Sequence, residues 1–163
     1  MTKEKQEELF HSWLTDHKPI LYKIIRVYFQ DLDDQNDLFQ EITIQLWKSI
    51  PNFKAQCLET TWIYRVALNT ALKWKKKARK NNPEQITEDL IKEPAENTHP
   101  HLDWLYHEIS LLNKIDRSLT LLMLDGFGYK DMSEILGITT SNVGVKINRI
   151  KIHLQERSKL LTS

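Results

Sequence analysis

The fold is decided by residues 128–149, which read GYKDMSEILGITTSNVGVKINR. Residues 129–135 have the composition of a short helix, and Gly137 stands where a helix commonly ends in a residue of positive φ. Ser133, four residues before this glycine, is small enough to let two helices approach each other. One of the two threonines that follow Ile138 can cap a second helix. The stretch therefore predicts a helix-turn-helix.

The second helix of this motif has two distinct faces. Apolar side chains at spacings of four, three and four residues predict a buried stripe formed by Val143, Ile147, Ile150 and Leu154. A polar stripe lies beside it and comprises Asn142, Lys146, Arg149 and His153. The candidates for contact with the DNA major groove are Ser141, Asn142, Lys146 and Arg149. Asparagine and arginine can read base edges there, and no acidic residue interrupts residues 137–153. The alternative is an ordinary helical hairpin with a solvated face.

A second cationic helix is predicted over residues 62–80, with Thr60 or Thr61 as its cap. Its core side would comprise Ile63, Val66, Ala67, Thr70, Ala71 and Trp74, and its polar side Arg65, Asn69, Lys73, Lys76 and Lys80. Neutralising phosphates is the physical use of such a cationic stripe. The preceding loop, residues 51–60, adds Phe53, Lys54 and Gln56, and exposed aromatic and polar groups there would suit unstacked single-stranded bases. Core packing is the alternative for Phe53 and Trp62.

The formal net charge of +1 conceals a strong segregation of charge along the chain. Residues 42–80 carry a net charge of +8 and residues 137–153 a net charge of +3. Residues 1–41 and 81–101 each carry −4, and residues 102–136 carry −3. Two cationic segments separated by anionic ones indicate two places that contact a polyanion.

An acidic patch is predicted on the helix that follows the capping sequence Asp31-Leu32-Asp33-Asp34. Asp37, Gln40 and Glu41 would lie on neighbouring positions of this helix. Paired carboxylates could suggest acid–base chemistry or a metal, yet no histidine or further carboxylate recurs at ligand spacing nearby. An acidic face for a protein partner is the better interpretation, and a solvated first turn is the alternative.

The composition predicts an all-α fold of two small helical domains. The first 125 residues contain no glycine, which is unusual for a strand-rich chain with many tight turns. Residues 81–101 are acidic and proline-rich, which is typical of a flexible linker. We therefore expect a helical domain over 1–80, a linker over 81–101 and a helix-turn-helix domain over 102–163.

Several functional classes are excluded on composition. A single cysteine, Cys57, rules out an internal disulfide framework and a cysteine-based zinc site. The chain has no apolar run long enough for membrane insertion and no secretory signal, so we expect a cytoplasmic protein. We expect no metal, no cofactor, no small-molecule substrate and no catalytic residues.

The ordered set of motifs resembles RNA polymerase sigma factors of the extracytoplasmic-function (ECF) type, in the sigma-70 superfamily. Four stretches carry the resemblance: Asp37–Glu41, Thr61–Asn69, Asp116-Arg117 with the leucine run after it, and Gly128–Ile138 continuing into Val143–Arg149. Their order and spacing match over nearly the whole chain. Two departures are Glu59, where many members carry an aromatic residue in the −10 loop, and Ser133, where an alanine is common.

The resemblance implies roles for these segments. Core polymerase, through its β′ coiled-coil and its β subunit, would be a partner, with Asp37, Leu38, Gln40 and Glu41 as contacts on the coiled-coil. Contacts with the −10 promoter element would come from Phe53, Lys54, Gln56, Thr61, Trp62, Arg65, Asn69, Lys73 and Lys76. The −35 element would be read by Ser141, Asn142, Lys146 and Arg149. The linker would thread toward the RNA exit channel, and an anti-sigma factor would be a further partner.

Two other functions compete with this interpretation. A stand-alone helix-turn-helix regulator would bind duplex DNA but would leave residues 1–100 without a role. An enzyme acting on nucleic acid would need a nucleophile–base pair or a metal cluster, and the sequence offers neither.

Overall fold

The computed structural model describes residues 1–74 and 99–161. Within these residues the chain forms eight α-helices and no strand, which confirms the predicted all-α class. The helices are α1 (Lys3–Asp16), α2 (Lys18–Tyr28), α3 (Leu32–Ser49), α4 (Glu59–Lys73), α5 (Pro100–Ser110), α6 (Lys114–Leu124), α7 (Tyr129–Leu136) and α8 (Thr140–Lys159). A short 3₁₀ turn, Ile50–Asn52, follows α3. The predicted linker, apart from its last three residues, lies outside the described residues.

Helix starts follow the local capping chemistry at most positions. The Asp31 carboxylate accepts the Asp33 backbone N–H at the start of α3, and Pro19 lies in the first turn of α2. The cap predicted for α4 at Thr60 or Thr61 is wrong. The first helical bond runs from Trp62 N–H to the Leu58 carbonyl, so the helix begins at Glu59 and Leu58 occupies the cap position without a side-chain bond. Both threonines therefore lie inside the first turn.

The N-terminal half, residues 1–74, packs α1 to α4 around a buried apolar centre. Leu38, Ile42 and Leu46 line the inner face of α3 and are essentially inaccessible to solvent. The inner face of α4 lies against this centre, and the indole of Trp13 from α1 is also buried there. Interdigitation of these side chains fixes the distance between α3 and α4 and so shapes the surface that the two helices share.

The C-terminal half, residues 99–161, packs α5 to α8 around a second set of buried residues, Ile109, Leu119, Leu122, Met132, Val143 and Ile147. Helix α8 lies across both α6 and α7. An ion pair also joins α8 to α5, because the Arg157 guanidinium donates two bonds to the carboxylate of the buried Glu108, at 3.0 and 3.1 Å. This bond holds the pKa of Glu108 below its ordinary value.

The two halves pack against each other, and their buried residues form one continuous hydrophobic cluster. The ring of Tyr64 on α4 lies 5.1 Å from the ring of Phe127, edge to face. Tyr28 on α2 hydrogen-bonds the Ser118 hydroxyl and the Lys114 carbonyl of α6. Its burial raises the pKa of the phenol. The division into two domains stays a prediction, but the described halves lie in direct contact.

No helix in the described part of the chain combines the length and the apolar character needed to cross a bilayer.

Candidate nucleic-acid interface

The helix-turn-helix is built as its sequence predicts. Gly137 ends α7 with φ of +70°, and its backbone N–H donates to the Ser133 carbonyl at 2.9 Å. The Thr139 hydroxyl then accepts the Asn142 backbone N–H and caps α8. Ser133 does more than fill a small space, because its hydroxyl donates to the Ile138 carbonyl and so ties the turn to the first helix. The tight turn fixes the direction in which α8 leaves the motif.

The faces of α8 separate as expected, with one exception. Val143, Ile147 and Ile150 are buried, and Leu154 is half-buried at the end of the stripe. The outward face exposes Ser141, Asn142 and Arg149 to solvent. Lys146 is only half-exposed, because its ammonium leans toward the Asp116 carboxylate at 3.9 Å. Lys146 is therefore less available to DNA than its three neighbours on this stripe.

Helix α4 buries a different part of its circumference from the one that the sequence predicts, because Val66, Thr70 and Trp74 are only half-buried. Ile63, Ala67 and Ala71 are buried as expected, but so are Tyr64 and Leu68, which were not assigned to the core side. The C-terminal half covers Tyr64, whose ring packs on Phe127, and α4 as a whole packs on α7 and, less extensively, on α6. A contact between distant parts of the chain leaves no periodic signal in the sequence of α4 itself.

The polar stripe of α4 meets the end of α7. The Arg65 guanidinium donates to the Glu134 carbonyl at 3.4 Å, and the Asn69 amide donates to the Ile135 carbonyl at 3.1 Å. Lys73 remains exposed at the end of the helix, whereas Lys76 lies outside the described residues. Two of the residues predicted to contact DNA are therefore engaged by the protein's own backbone.

A polar groove of about 730 Å³ runs between α3 and α4. From α4 it is lined by Arg65, Val66, Asn69, Thr70 and Lys73, with Trp74 beyond the helix end. From α3 and the turn after it come Glu41, Gln45, Lys48, Ser49 and Asn52. Gln45, Lys48 and Asn52 were not among the site residues predicted from the sequence. The sequence does contain a pattern that could have indicated these residues. Positions 41, 45, 48 and 52 follow helical spacing and form one polar stripe.

The loop before α4 is more firmly anchored than an exposed stacking platform would be. Phe53 lies between two indoles, with ring centroids 5.3 Å from Trp13 and 5.5 Å from Trp62. The Trp62 indole N–H donates to the Ser49 hydroxyl at 3.0 Å. Both aromatic side chains are therefore engaged in contacts inside the protein. This favours core packing, rather than exposure to bases, as the role of Phe53 and Trp62. Lys54, Ala55 and Gln56 form the exposed tip, where Ala55 has φ of +55°.

The remaining residues of this region lie beside the loop. Thr61 is half-buried and lines a second cavity, of about 400 Å³, between the two halves. Glu59 lies in the first turn of α4, and its carboxylate is 3.5 Å from the imidazole of His17. This carboxylate therefore lies at the junction of α1 and α2, where His17 is located.

The acidic patch on α3 is present, but one of its predicted contacts lies inside the protein. Asp37 and Gln40 are exposed, and Glu41 is half-buried and accepts a bond from Gln45 at 2.9 Å. Leu38 is fully buried, so its side chain supports the helix from within and offers no surface to a partner. We therefore assign Leu38 to the core. Within residues 1–74 and 99–161 no cluster of three or more possible metal ligands occurs.

Comparison with known proteins gives a matching family model and several similar proteins. The Sigma-70 region 2 family model matches residues 13–81, the segment that carries the acidic patch, the loop and α4. This match and the curated relatives support an extracytoplasmic-function sigma factor of the sigma-70 family. It is 28% identical over 144 residues to the ECF RNA polymerase sigma-E factor of Haemophilus influenzae, covering 77% of this chain and 75% of that protein. It is 24% identical to the Bacillus subtilis RNA polymerase sigma factor SigV, covering 98% and 92% of the two chains.

The fold of this chain is also found in a solved structure. The sigma factor RpoE of Bartonella quintana, crystallised with the anti-sigma factor NepR, superposes with a TM-score of 0.66 at 17% identity. The superposition covers 92% of this chain and 96% of that one, and therefore includes both helical halves. The segment matched by the region 2 model contains α2 to α4, and the helix-turn-helix lies after it.

Proposed function

We propose that this ECF sigma factor binds core RNA polymerase and directs transcription to promoters by recognising −35 and −10 elements and helping to open the DNA. One observation carries the proposal. A segment matching Sigma-70 region 2 and a helix-turn-helix with a free Asn–Arg face lie in one chain. A stand-alone regulator would need only the second part, and an enzyme would need chemistry that the described residues do not assemble.

The acidic patch on α3 is the proposed contact with the polymerase β′ coiled-coil. Asp37 and Gln40 are exposed on adjacent turns, so a partner helix could reach both. Glu41 lies at the edge of the patch and also faces the groove between α3 and α4.

The loop and α4 are the proposed contacts with the −10 element. The exposed tip of the loop, Lys54 and Gln56, would meet an unstacked base, while Phe53, held between two indoles, supports the tip from below. Lys48, Asn52 and Lys73 give the groove cationic and amide groups suited to a strand of phosphates. Arg65 and Asn69 would join this surface when they are not bonded to α7.

The outward face of α8 is the proposed reader of the −35 element. Asn142 and Arg149 lie two turns apart on the exposed side of α8. We propose that the motif presents that side to a major groove. Ser141 at the N-terminus of α8 is placed for a phosphate, because free backbone N–H groups point outward there.

A protein inhibitor is also proposed, of the anti-sigma class. The Bartonella quintana structure pairs a similarly folded sigma factor with an anti-sigma factor. We propose that this sigma factor has a partner of the same class and acts in the cytoplasm as a non-catalytic subunit.

The function is tested by transcription with core polymerase from the host and a genomic promoter library. The sigma factor should produce discrete start sites, and Asp37→Ala/Gln40→Ala should weaken its binding to core polymerase without loss of helicity. Glu4→Ala/Glu8→Ala, which changes two exposed positions on α1, is the control and should bind as the wild type does. Failure to initiate at any start site would contradict the proposal. If the α3 variant bound core polymerase as tightly as the wild type, the acidic patch would not be the polymerase contact.

A further inference from the structure

The outward face of α8 has an apolar side chain at its centre. Val145 follows Ser141 by four residues and Asn142 by three, and it precedes Arg149 by four. Residues three and four apart are neighbours on a helix surface, so Val145 lies beside all three of these proposed −35 contacts. Val145 is 51% exposed and therefore lies outside the buried stripe of α8.

The packing of α8 does not account for a valine at this position. β-branched side chains are slightly unfavourable in helices, so helix stability does not explain it either. The preceding residue, Gly144, has no side chain, and a Cβ there would lie 3.5 Å from the ring of Tyr129 at the start of α7. Tyr129 is itself 45% exposed. An exposed valine with an aromatic ring beside the preceding position gives this part of the face an apolar character that Asn142 and Arg149 do not share.

The major groove offers an apolar side chain one partner of its own kind. Every base pair presents hydrogen-bond donors and acceptors there, and thymine adds its C5 methyl group. A valine side chain neither donates nor accepts hydrogen bonds, so contact with that methyl is the means by which it can favour one base. Recognition helices contact base edges with their N-terminal residues, and Val145 lies in the second turn of α8.

The charge around Val145 favours DNA over a protein as the occupant of this face. Residues 137–153 contain three cationic residues and no acidic one. The exposed Arg149 lies one turn from Val145 on the same side of the helix. An apolar contact surrounded by cations and amides suits a base edge between two lines of phosphates.

We propose that Val145 is a specificity-determining residue that recognises the C5 methyl group of a thymine in the −35 element. The inference rests on the proposed function of α8 and names the base feature that the centre of its outward face reads. Asn142 and Arg149 hold the helix in register through hydrogen bonds. Val145 then distinguishes a thymine from the bases that lack the methyl group.

The test removes the methyl group from the DNA and the valine from the protein, separately and together. The −35 element found with the promoter library is synthesised with each thymine replaced in turn by uracil, which lacks only the methyl group. At the recognised position, uracil should weaken binding of the wild-type holoenzyme about three- to fivefold, as expected for the burial of one methyl group. Val145→Ser should bind the thymine-containing DNA more weakly and should lose nothing further with uracil.

Ile152→Ser is the matched control. Ile152 is also apolar, is 49% exposed and lies two turns further along the same face of α8. It is beyond the N-terminal turns that would contact bases, so this variant should respond to uracil as the wild type does. Circular dichroism of both variants checks that helicity is unchanged.

Several results would overturn the inference. A −35 element without any A·T pair would contain no methyl group for Val145 to recognise. No response to uracil, or an equal response in the wild type and in Val145→Ser, would exclude a contact between this valine and a methyl group. Weaker binding of Val145→Ser to core polymerase, with an unchanged response to uracil, would instead place Val145 against a protein. If start sites appear without dependence on the methyl group, only this inference fails, whereas absence of initiation by every form contradicts the proposed function itself.

Discussion

Helices α4 and α8 carry the same kind of polar stripe, but the fold treats them differently. Each combines an asparagine with cations at helical spacing. On α8 the asparagine and arginine are exposed, whereas on α4 they donate to the carbonyls of α7. The comparison shows that a charge pattern indicates what a surface can bind. Whether the surface is available depends on what packs beside it.

The apolar sides of the two helices differ as well. Helix α8 buries one stripe, led by Val143, Ile147 and Ile150. Helix α4 buries two adjoining strips, one against its own half and one, containing Tyr64, against the C-terminal half. We therefore expect substitutions on α4 to affect the stability of the whole chain, and equivalent ones on the outer face of α8 to affect DNA binding alone.

The largest expected effect comes from the buried apolar residues of α4. Leu68→Ala removes a fully buried side chain and should lower the free energy of unfolding by about 2–5 kcal/mol. Val145→Ala, which changes an exposed position on α8, is the matched control and should alter it by less than about 0.5 kcal/mol. Urea denaturation followed by circular dichroism measures both. Equal effects for the two variants would mean that the contrast between the helices does not extend to stability.

The next effect concerns base reading by α8. Arg149→Ala should relax −35 sequence preference by about 1–3 kcal/mol if the guanidinium makes a bidentate contact with a base. The measurement compares holoenzyme affinity for a selected promoter and for single-base variants of its −35 element. A loss of the same size on every sequence would instead identify Arg149 as a phosphate contact.

A pH effect tests how α8 is attached to α5. The bond from Arg157 lowers the pKa of Glu108, so the folded chain binds fewer protons than the unfolded chain near the ordinary value of 4.5. The stabilisation is therefore present above pH 4.5 and lost as the pH falls through the lowered pKa. Glu108→Gln should lower the melting temperature by a few degrees at neutral pH and less in acid. A difference from wild type that stays constant between pH 7 and pH 3 would contradict this ion-pair role.

The smallest expected effect is electrostatic. Lys73→Ala removes an exposed cation at the end of α4 and should weaken holoenzyme binding to DNA, with a loss of about one unit in the salt slope. Lys3→Ala on α1 removes the same charge from an exposed position and should leave the slope unchanged. Equal slopes for wild type and Lys73→Ala would place this lysine away from the backbone of the nucleic acid.

Local chemistry made much of the fold predictable. The start of α3 at Asp31, the proline in the first turn of α2 and the positive φ of Gly137 each depend on the residue and its immediate neighbours. The start of α4 was predicted wrongly, because Thr60 and Thr61 are good caps that the chain does not use. Leu58 occupies the cap position instead, although its side chain makes no capping bond.

The sequence predicted which residues form the candidate sites better than it predicted which of them are accessible to solvent. Asp37, Gln40, Asn142 and Arg149 were expected at the surface and are exposed. Leu38 belongs to the same sequence motif as its neighbours, but the helical period directs its side chain into the core. The roles of the four exposed residues in binding polymerase and DNA remain predictions.

The sequence by itself determined the helical class, the helix-turn-helix and the segregation of charge into two cationic segments, because these depend on local spacing and on the identity of each side chain. Only the tertiary structure decided that Tyr64 and Leu68 are buried, that Phe53 is held between two tryptophans, and that Arg65 and Asn69 bond to α7. These outcomes depend on contacts between segments tens of residues apart, and the packing of whole helices, which no local pattern encodes, brings such segments together.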